Sequence, residues 1–212
     1  MMADTPAAVL LSFAVTCFII EITPGPNMAY LAALSLAQGL RAGFAAVAGI
    51  ALGLAIYGMA VALGLGAVIE HSELLYQGLR WAGVIYLFWL AWEAWVAERD
   101  LSSTGDGRID ISAETAFRRG LLTNLFNPKA AIFYVAVLPE FVQIWRGSVG
   151  AQTFTLSAIY VAVATLVHAV IVLLASRLQG LIRIPENRRT VRRLLAVLLA
   201  GIAVWLATST GR

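Results

Sequence analysis

The chain is 212 residues long, 60% hydrophobic and only 13% charged, with a formal net charge of +3. Soluble domains carry about 25% charged residues, so this composition, with a mean hydropathy of +0.83, points to lipid as the surrounding solvent and leaves little room for a soluble domain. The isoelectric point near 9.4 comes from arginines between apolar runs, which argues against a nucleic-acid partner.

An apolar helix of about 20 residues crosses a hydrocarbon core of about 30 Å. Six such helices are predicted, over 7–37, 42–68, 74–96, 116–141, 151–175 and 193–209, in a single integral membrane domain over 1–212. The start, MMADTPAAVLL, has no basic segment before the apolar run, so a cleaved signal peptide is not expected. Helix one contains the single cysteine, Cys17, which excludes an intrachain disulfide framework and a dithiol redox pair. With His71 and His168 the only histidines, no metal site and no cofactor are expected.

Helix one also carries EITPGPNMAY, from Glu21 to Tyr30. Proline has no N–H to donate, and its ring clashes with the carbonyl four residues back. Pro24 and Pro26 should therefore free the carbonyls of Ile20 and Ile22, and Gly25 should supply backbone angles that other residues avoid. Irregular backbone survives at membrane depth only where protein buries it or it lines a wet cavity.

In helix two, Ala45, Gly49 and Gly53 recur every four residues, a spacing that permits close helix approach, as a packing face or a dimer contact. In helix three, Trp81 lies near one end and Trp89, Trp92 and Trp95 near the other; with Trp145 and Trp205 they read as interfacial aromatics, and Glu93 as interfacial among them. A polar segment follows, ERDLSSTGDGRIDISAETAFRR over 98–119.

Helix four holds a second break in LLTNLFNPKAAIFY, over 121–134, where Pro128 should free the carbonyl of Asn124, with Asn127 before it and Lys129 after. Helix five contains His168, a packing residue or a proton carrier with a pKa near 6.5 in water. The second polar segment, RLQGLIRIPENRRTVRR over 177–193, precedes the short helix six.

Pro26 and Pro128 are 102 residues apart, close to half the chain. Three helices per half is an odd number, so the second half (about 115–212) must lie inverted relative to the first (about 1–97). Matched breaks in inverted halves point to a transporter's central site. The expected fold is therefore an all-α membrane protein of two inverted three-helix repeats, with helices one and four broken near the midplane and one half rocking against the other. The odd-numbered loops carry Arg41, Arg99, Arg108, Arg118, Arg119, Arg177, Arg183, Arg188, Arg189, Arg192 and Arg193, against Arg80, Arg146 and Arg212 on the other side, 11 against 3. Arginine-rich loops stay cytoplasmic, which puts both termini outside.

Charges inside a membrane are costly and usually face the bundle interior. Glu21 and Lys129 are expected to border one cavity, Glu21 exchanging a proton and Lys129 meeting a substrate carboxylate, or else to form a static ion pair with each other. The candidate site comprises Glu21, Pro24, Gly25, Pro26, Asn27, Asn124, Asn127, Pro128 and Lys129, with Glu21 and His168 as a proton relay. Thr23, Tyr30, Tyr57 and Tyr134 are weaker candidates for its lining.

The stretches ITPGPNMAYLAALSLAQGLRAGFAAVAGIALG (22–53), LRWAGVIYLFWLAWEAW (79–95) and FRRGLLTNLFNPKAAIFYVAVLPEFV (117–142) resemble the LysE/RhtB family of bacterial amino-acid exporters. The resemblance rests on Pro24-Gly25-Pro26-Asn27 together with Asn127-Pro128-Lys129, covers nearly the whole chain and thins after about residue 150. It implies a six-helix protein of the bacterial inner membrane that exports amino acids such as homoserine, threonine or leucine, by proton antiport and as a homo-oligomer. Many members have an acidic residue where this chain has His168, and some a histidine where it has Tyr57, which puts the proton route in question; Glu21 is not part of the family motif. The alternatives are a metal-ion exporter, disfavoured by the few Cys, His and buried carboxylates; a membrane enzyme, for which no nucleophile–base pair is found; and a structural protein, which has no use for two deep breaks.

Overall fold

The computed structural model describes residues 6–64, 73–101, 111–178 and 185–209. The start of the chain, His71, Arg108, Arg183 and Arg212 lie outside the described residues. Among those described, all regular structure is helical. α1 (Pro6–Ile22) and α2 (Pro26–Gln38) bend by 60° at their junction. α3 spans Leu40–Ala62 and α4 Glu73–Leu101. α5 (Ala113–Leu125) and α6 (Pro128–Ile132) meet at a second break, and α6 continues through a π-turn at Phe133–Val137 and a 3-10 turn at Leu138–Phe141, the whole bent by 52° from α5. α7 spans Val149–Arg177 and α8 Pro185–Ser209.

By length and hydropathy α3 and α7 are candidate membrane spans, and each bent pair also qualifies when taken as one span. Among the described residues of α8, Ala196–Trp205 is a shorter apolar stretch. Local chemistry explains where the helices start. The Ser112 side chain accepts from the Thr115 N–H at 3.1 Å, a cap that starts α5 three residues before the expected 116. α8 likewise starts eight residues before the expected 193. Pro185 stands at its first position, where a missing N–H costs nothing, and hydropathy alone counts the polar residues after it as loop.

A single residue, Gly39, joins α2 to α3. Its φ of 81° is one that side-chain-bearing residues avoid, and its N–H donates to the Ser35 carbonyl at 2.8 Å. α3 packs along α5 and α7, α7 also along α1 and α2, and α4 along α8. Leu31, Ile50, Leu54, Phe133, Tyr134, Tyr160 and Val172 fill the centre. Leu11, Phe18 and Ile19 of α1 and Leu166, Val170 and Leu174 of α7 point outward, an apolar exterior suited to lipid.

The small-residue stripe of α3 is a packing face within the chain. A Cβ on Gly49 would overlap the Phe117 carbonyl, and one on Gly53 would sit 2.6 Å from Asn124 Nδ2. A Cβ on Gly120 of α5 would overlap the Ala46 carbonyl. α3 and α5 therefore cross backbone to backbone. Gly49→Ala and Gly120→Ala are each expected to destabilise by about 1–3 kcal/mol, the cost of overpacking, read as a lower melting temperature in detergent. Gly201→Ala, whose Cβ would meet open space, should leave it unchanged.

Candidate functional site

Both helix breaks close first on themselves. The Thr23 N–H turns back to the Ile20 carbonyl at 3.1 Å, and the Asn127 N–H to the Asn124 carbonyl at 2.9 Å. These are the tightened turns that commonly finish a helix. Two carbonyls expected to be free, those of Ile20 and Asn124, are thus occupied. Gly25 is another correction: its φ of −166° and ψ of 177° are extended backbone open to any residue. A Cβ here would meet Lys129 Cδ at 3.4 Å, an ordinary contact. Pro26 and Pro128 each begin the second half-helix, and the Asn127 side chain caps the Lys129 N–H at 3.0 Å.

The breaks then close on each other. Lys129 Nζ donates to the Thr23 carbonyl at 2.8 Å. Asn27 Nδ2 donates to Asn124 Oδ1 at 2.9 Å. Tyr57 OH, from α3, donates to the Leu125 carbonyl at 2.7 Å. With an offset of 102 residues, Thr23 corresponds to Leu125, so the equivalent carbonyl at each break is taken by a long side chain from another helix. Asn27 Oδ1 and Asn124 Nδ2 remain buried without a protein partner.

Glu21 is 4% exposed. Its Oε1 accepts from Tyr160 OH at 2.7 Å, and its Oε2 lies 3.2 Å from His168 Nε2. The carboxylate thus engages α7, while the Lys129 ammonium engages the α1 backbone, in place of the static Glu21–Lys129 pair considered from sequence. Tyr160 was not foreseen. The signal for it lies in Tyr160, Ala164, His168 and Val172, which recur every four residues and form the buried face of α7. Tyr134 stacks near Tyr57, with ring centroids 5.9 Å apart, and meets Tyr160 edge-on at 5.4 Å. The Tyr30 hydroxyl is buried without a hydrogen-bond partner.

Two cavities flank Lys129. One, of about 10 Å³ and lined by Glu21, Asn27, Asn127, Lys129 and Tyr160, has room for roughly one water molecule. The other is a cleft of about 320 Å³ where both breaks meet, formed by Pro24–Pro26, Pro128 and Lys129 and walled by Ile20, Phe133 and Trp205. Among the described residues no three His, Cys, Asp or Glu side chains converge as a metal site would need.

Two proline-broken helices that share one cleft are accompanied by a match of residues 18–210 to the family of LysE type translocators. This chain belongs to that family. Among relatives of this translocator, an uncharacterized membrane protein of Vibrio cholerae is 28% identical over 201 residues, 95% of this chain and 97% of the relative. The homoserine/homoserine lactone efflux protein of Salmonella typhimurium is 27% identical over 205 residues, 93% and 95% of the two chains. The leucine efflux protein of Klebsiella pneumoniae is 27% identical over 202 residues, 93% and 94%. No solved structure matches.

For this translocator, Tyr57→Phe strands the partly buried Leu125 carbonyl. A loss of about 1–3 kcal/mol is expected from an orphaned polar group, to be measured by thermal unfolding in detergent.

Proposed function

We propose that this translocator exports small amino acids or related metabolites across the bacterial inner membrane by proton antiport, with the helix breaks as the substrate site. The observation that carries this reading is the cross-capping of the two breaks around one cleft, with Lys129 reaching from one to the other. The cleft has the size of a small ligand pocket, and its walls suit an aliphatic side chain. The substrate carboxylate meets Lys129 and the positive end of the α2 half-helix. When the carboxylate draws Lys129 away, the Thr23 carbonyl is left to receive the substrate ammonium. The names of the leucine and homoserine efflux relatives support this class of cargo.

In this reading the chain crosses six times as two inverted repeats, with the arginine-rich odd-numbered loops cytoplasmic and both termini outside. α4 and α8, at 29 and 25 residues, are long enough to cross at about 1.5 Å per residue. The packing pattern supports the repeat. α3 lies on α5 as α7 lies on α1 and α2, while α3 meets α7 and α4 meets α8. Exchanging first with fourth, second with fifth and third with sixth spans leaves this pattern unchanged. The two repeats therefore interleave, and the moving bodies are the α4–α8 pair against the other four spans rather than one half against the other. Glu21 and His168 carry the coupling proton between them, with Tyr160 holding the carboxylate in place.

The test is a counterflow screen of radiolabelled leucine, homoserine and threonine in proteoliposomes, with and without an imposed pH gradient. Glu21→Gln should keep counterflow but lose roughly tenfold of gradient-driven uptake, within the usual range of coupling free energies, about 1–3 kcal/mol. Lys129→Met should lose both. Unchanged activity in both variants, or no counterflow of any amino acid by the parent, overturns the reading.

A further inference from the structure

α4 touches α5 over a short contact, and the main polar link there is an ion pair. Arg119 Nη2 of α5 lies 2.6 Å from Glu93 Oε1 of α4, with the two side chains 20% and 40% exposed. Neither residue belongs to the breaks. The guanidinium also lies over the Trp89 ring, 5.5 Å from its centroid, and Trp89 stacks on Tyr86 at 5.7 Å. The Tyr86 hydroxyl donates to the Arg119 carbonyl at 3.4 Å. The cluster closes the seam between the α4–α8 pair and the rest of the bundle.

Four buried polar atoms on the neighbouring helices have no protein hydrogen-bond partner. Glu93 Oε2, Tyr30 OH, Asn124 Nδ2 and Asn27 Oδ1 come from α4, α2, α5 and α2 again. Buried polar atoms are nearly always satisfied. Four orphans on α2, α4 and α5 would line a water route towards the breaks if the seam opened. Arg119 is nine residues before Pro128, about 13 Å along a helix, the length such a route would span.

We propose that Arg119 and Glu93 form an outer subsite for an α-amino-acid zwitterion, and that their own ion pair closes the route when the subsite is empty. The proposal rests on the exporter reading and adds a second binding position to it. Arginine offers a carboxylate two parallel N–H donors. Glu93 offers the ammonium both oxygens, one of them still unpartnered. The Trp89 face is left for the substrate side chain. A zwitterion replaces both halves of the pair at once. A simple anion or cation replaces only one and strands the other charge in a partly desolvated place, the costly way to break an ion pair.

Cys17 is the single cysteine, so Cys17→Ala supplies a thiol-free background. Thr123, 2% exposed, lies one turn inside Arg119 and becomes the reporter as Thr123→Cys. Membrane vesicles of both orientations are treated with an impermeant maleimide, and every variant is first required to elute like the parent. Glu93→Gln and, independently, Arg119→Gln should raise the labelling rate from one face at least tenfold. The swap Glu93→Arg with Arg119→Glu should return it towards the parent rate. In the parent, L-leucine or L-homoserine should accelerate labelling, while isopentylamine and 4-methylpentanoate, each with one of leucine's two charges, should not. A parent rate as fast as that of the Gln variants, a swap that restores nothing, or equal acceleration by singly charged analogues overturns the proposal. Labelling needs no net transport, so these outcomes are separate from those of the counterflow test.

Discussion

The constraint on which this structure depends is the cost of an unpaired backbone carbonyl in a medium without water. Each proline break creates that problem inside the bundle, and neither half of the chain solves it alone. Thr23 relies on Lys129, Leu125 relies on Tyr57, and Asn124 is held by Asn27. The helix breaks are therefore also what holds the two halves in register. Apart from Asn27 Oδ1 and Asn124 Nδ2, the polar groups that join the breaks already serve the fold.

These contacts have a stiff surround. The backbone contact of α3 with α5 at Gly49 and Gly120 leaves no side chain between them to rearrange. The aromatic ring set Phe133, Tyr134 and Tyr160 packs the far side of the site, with Phe133 and Tyr160 stacked at 3.6 Å. By contrast, the border of α4 with α5 depends on an ion pair and a few rings. One interface is backbone-tight and the other is latched by side chains.

Much of this architecture is visible in the one-dimensional pattern, and the parts that are not share a cause. Proline acts locally, so the interruptions at Pro24–Pro26 and Pro128 can be located without coordinates. The four-residue recurrence of Ala45, Gly49 and Gly53 likewise identifies a packing face. Which partner a side chain reaches depends on how helices cross, and that is not local. Glu21 and Lys129 look like natural partners along the chain, yet each finds a better-placed group, Tyr160 and His168 for one and a backbone oxygen for the other. Helix ends are misjudged where hydropathy and capping disagree, as at Ser112 and Pro185. Gly25 is misread because a glycine between two prolines suggests unusual torsions, whereas its backbone is extended.

Gly39 carries a mechanical consequence. With one residue between them, α2 and α3 behave as a bent rod with no slack at the elbow. Any swivel of α2 about the Pro24–Pro26 hinge must drag α3 with it, and α3 is locked to α5, whose far end is the other hinge. The positions of the two prolines are thus tied to each other through close contacts made largely of backbone.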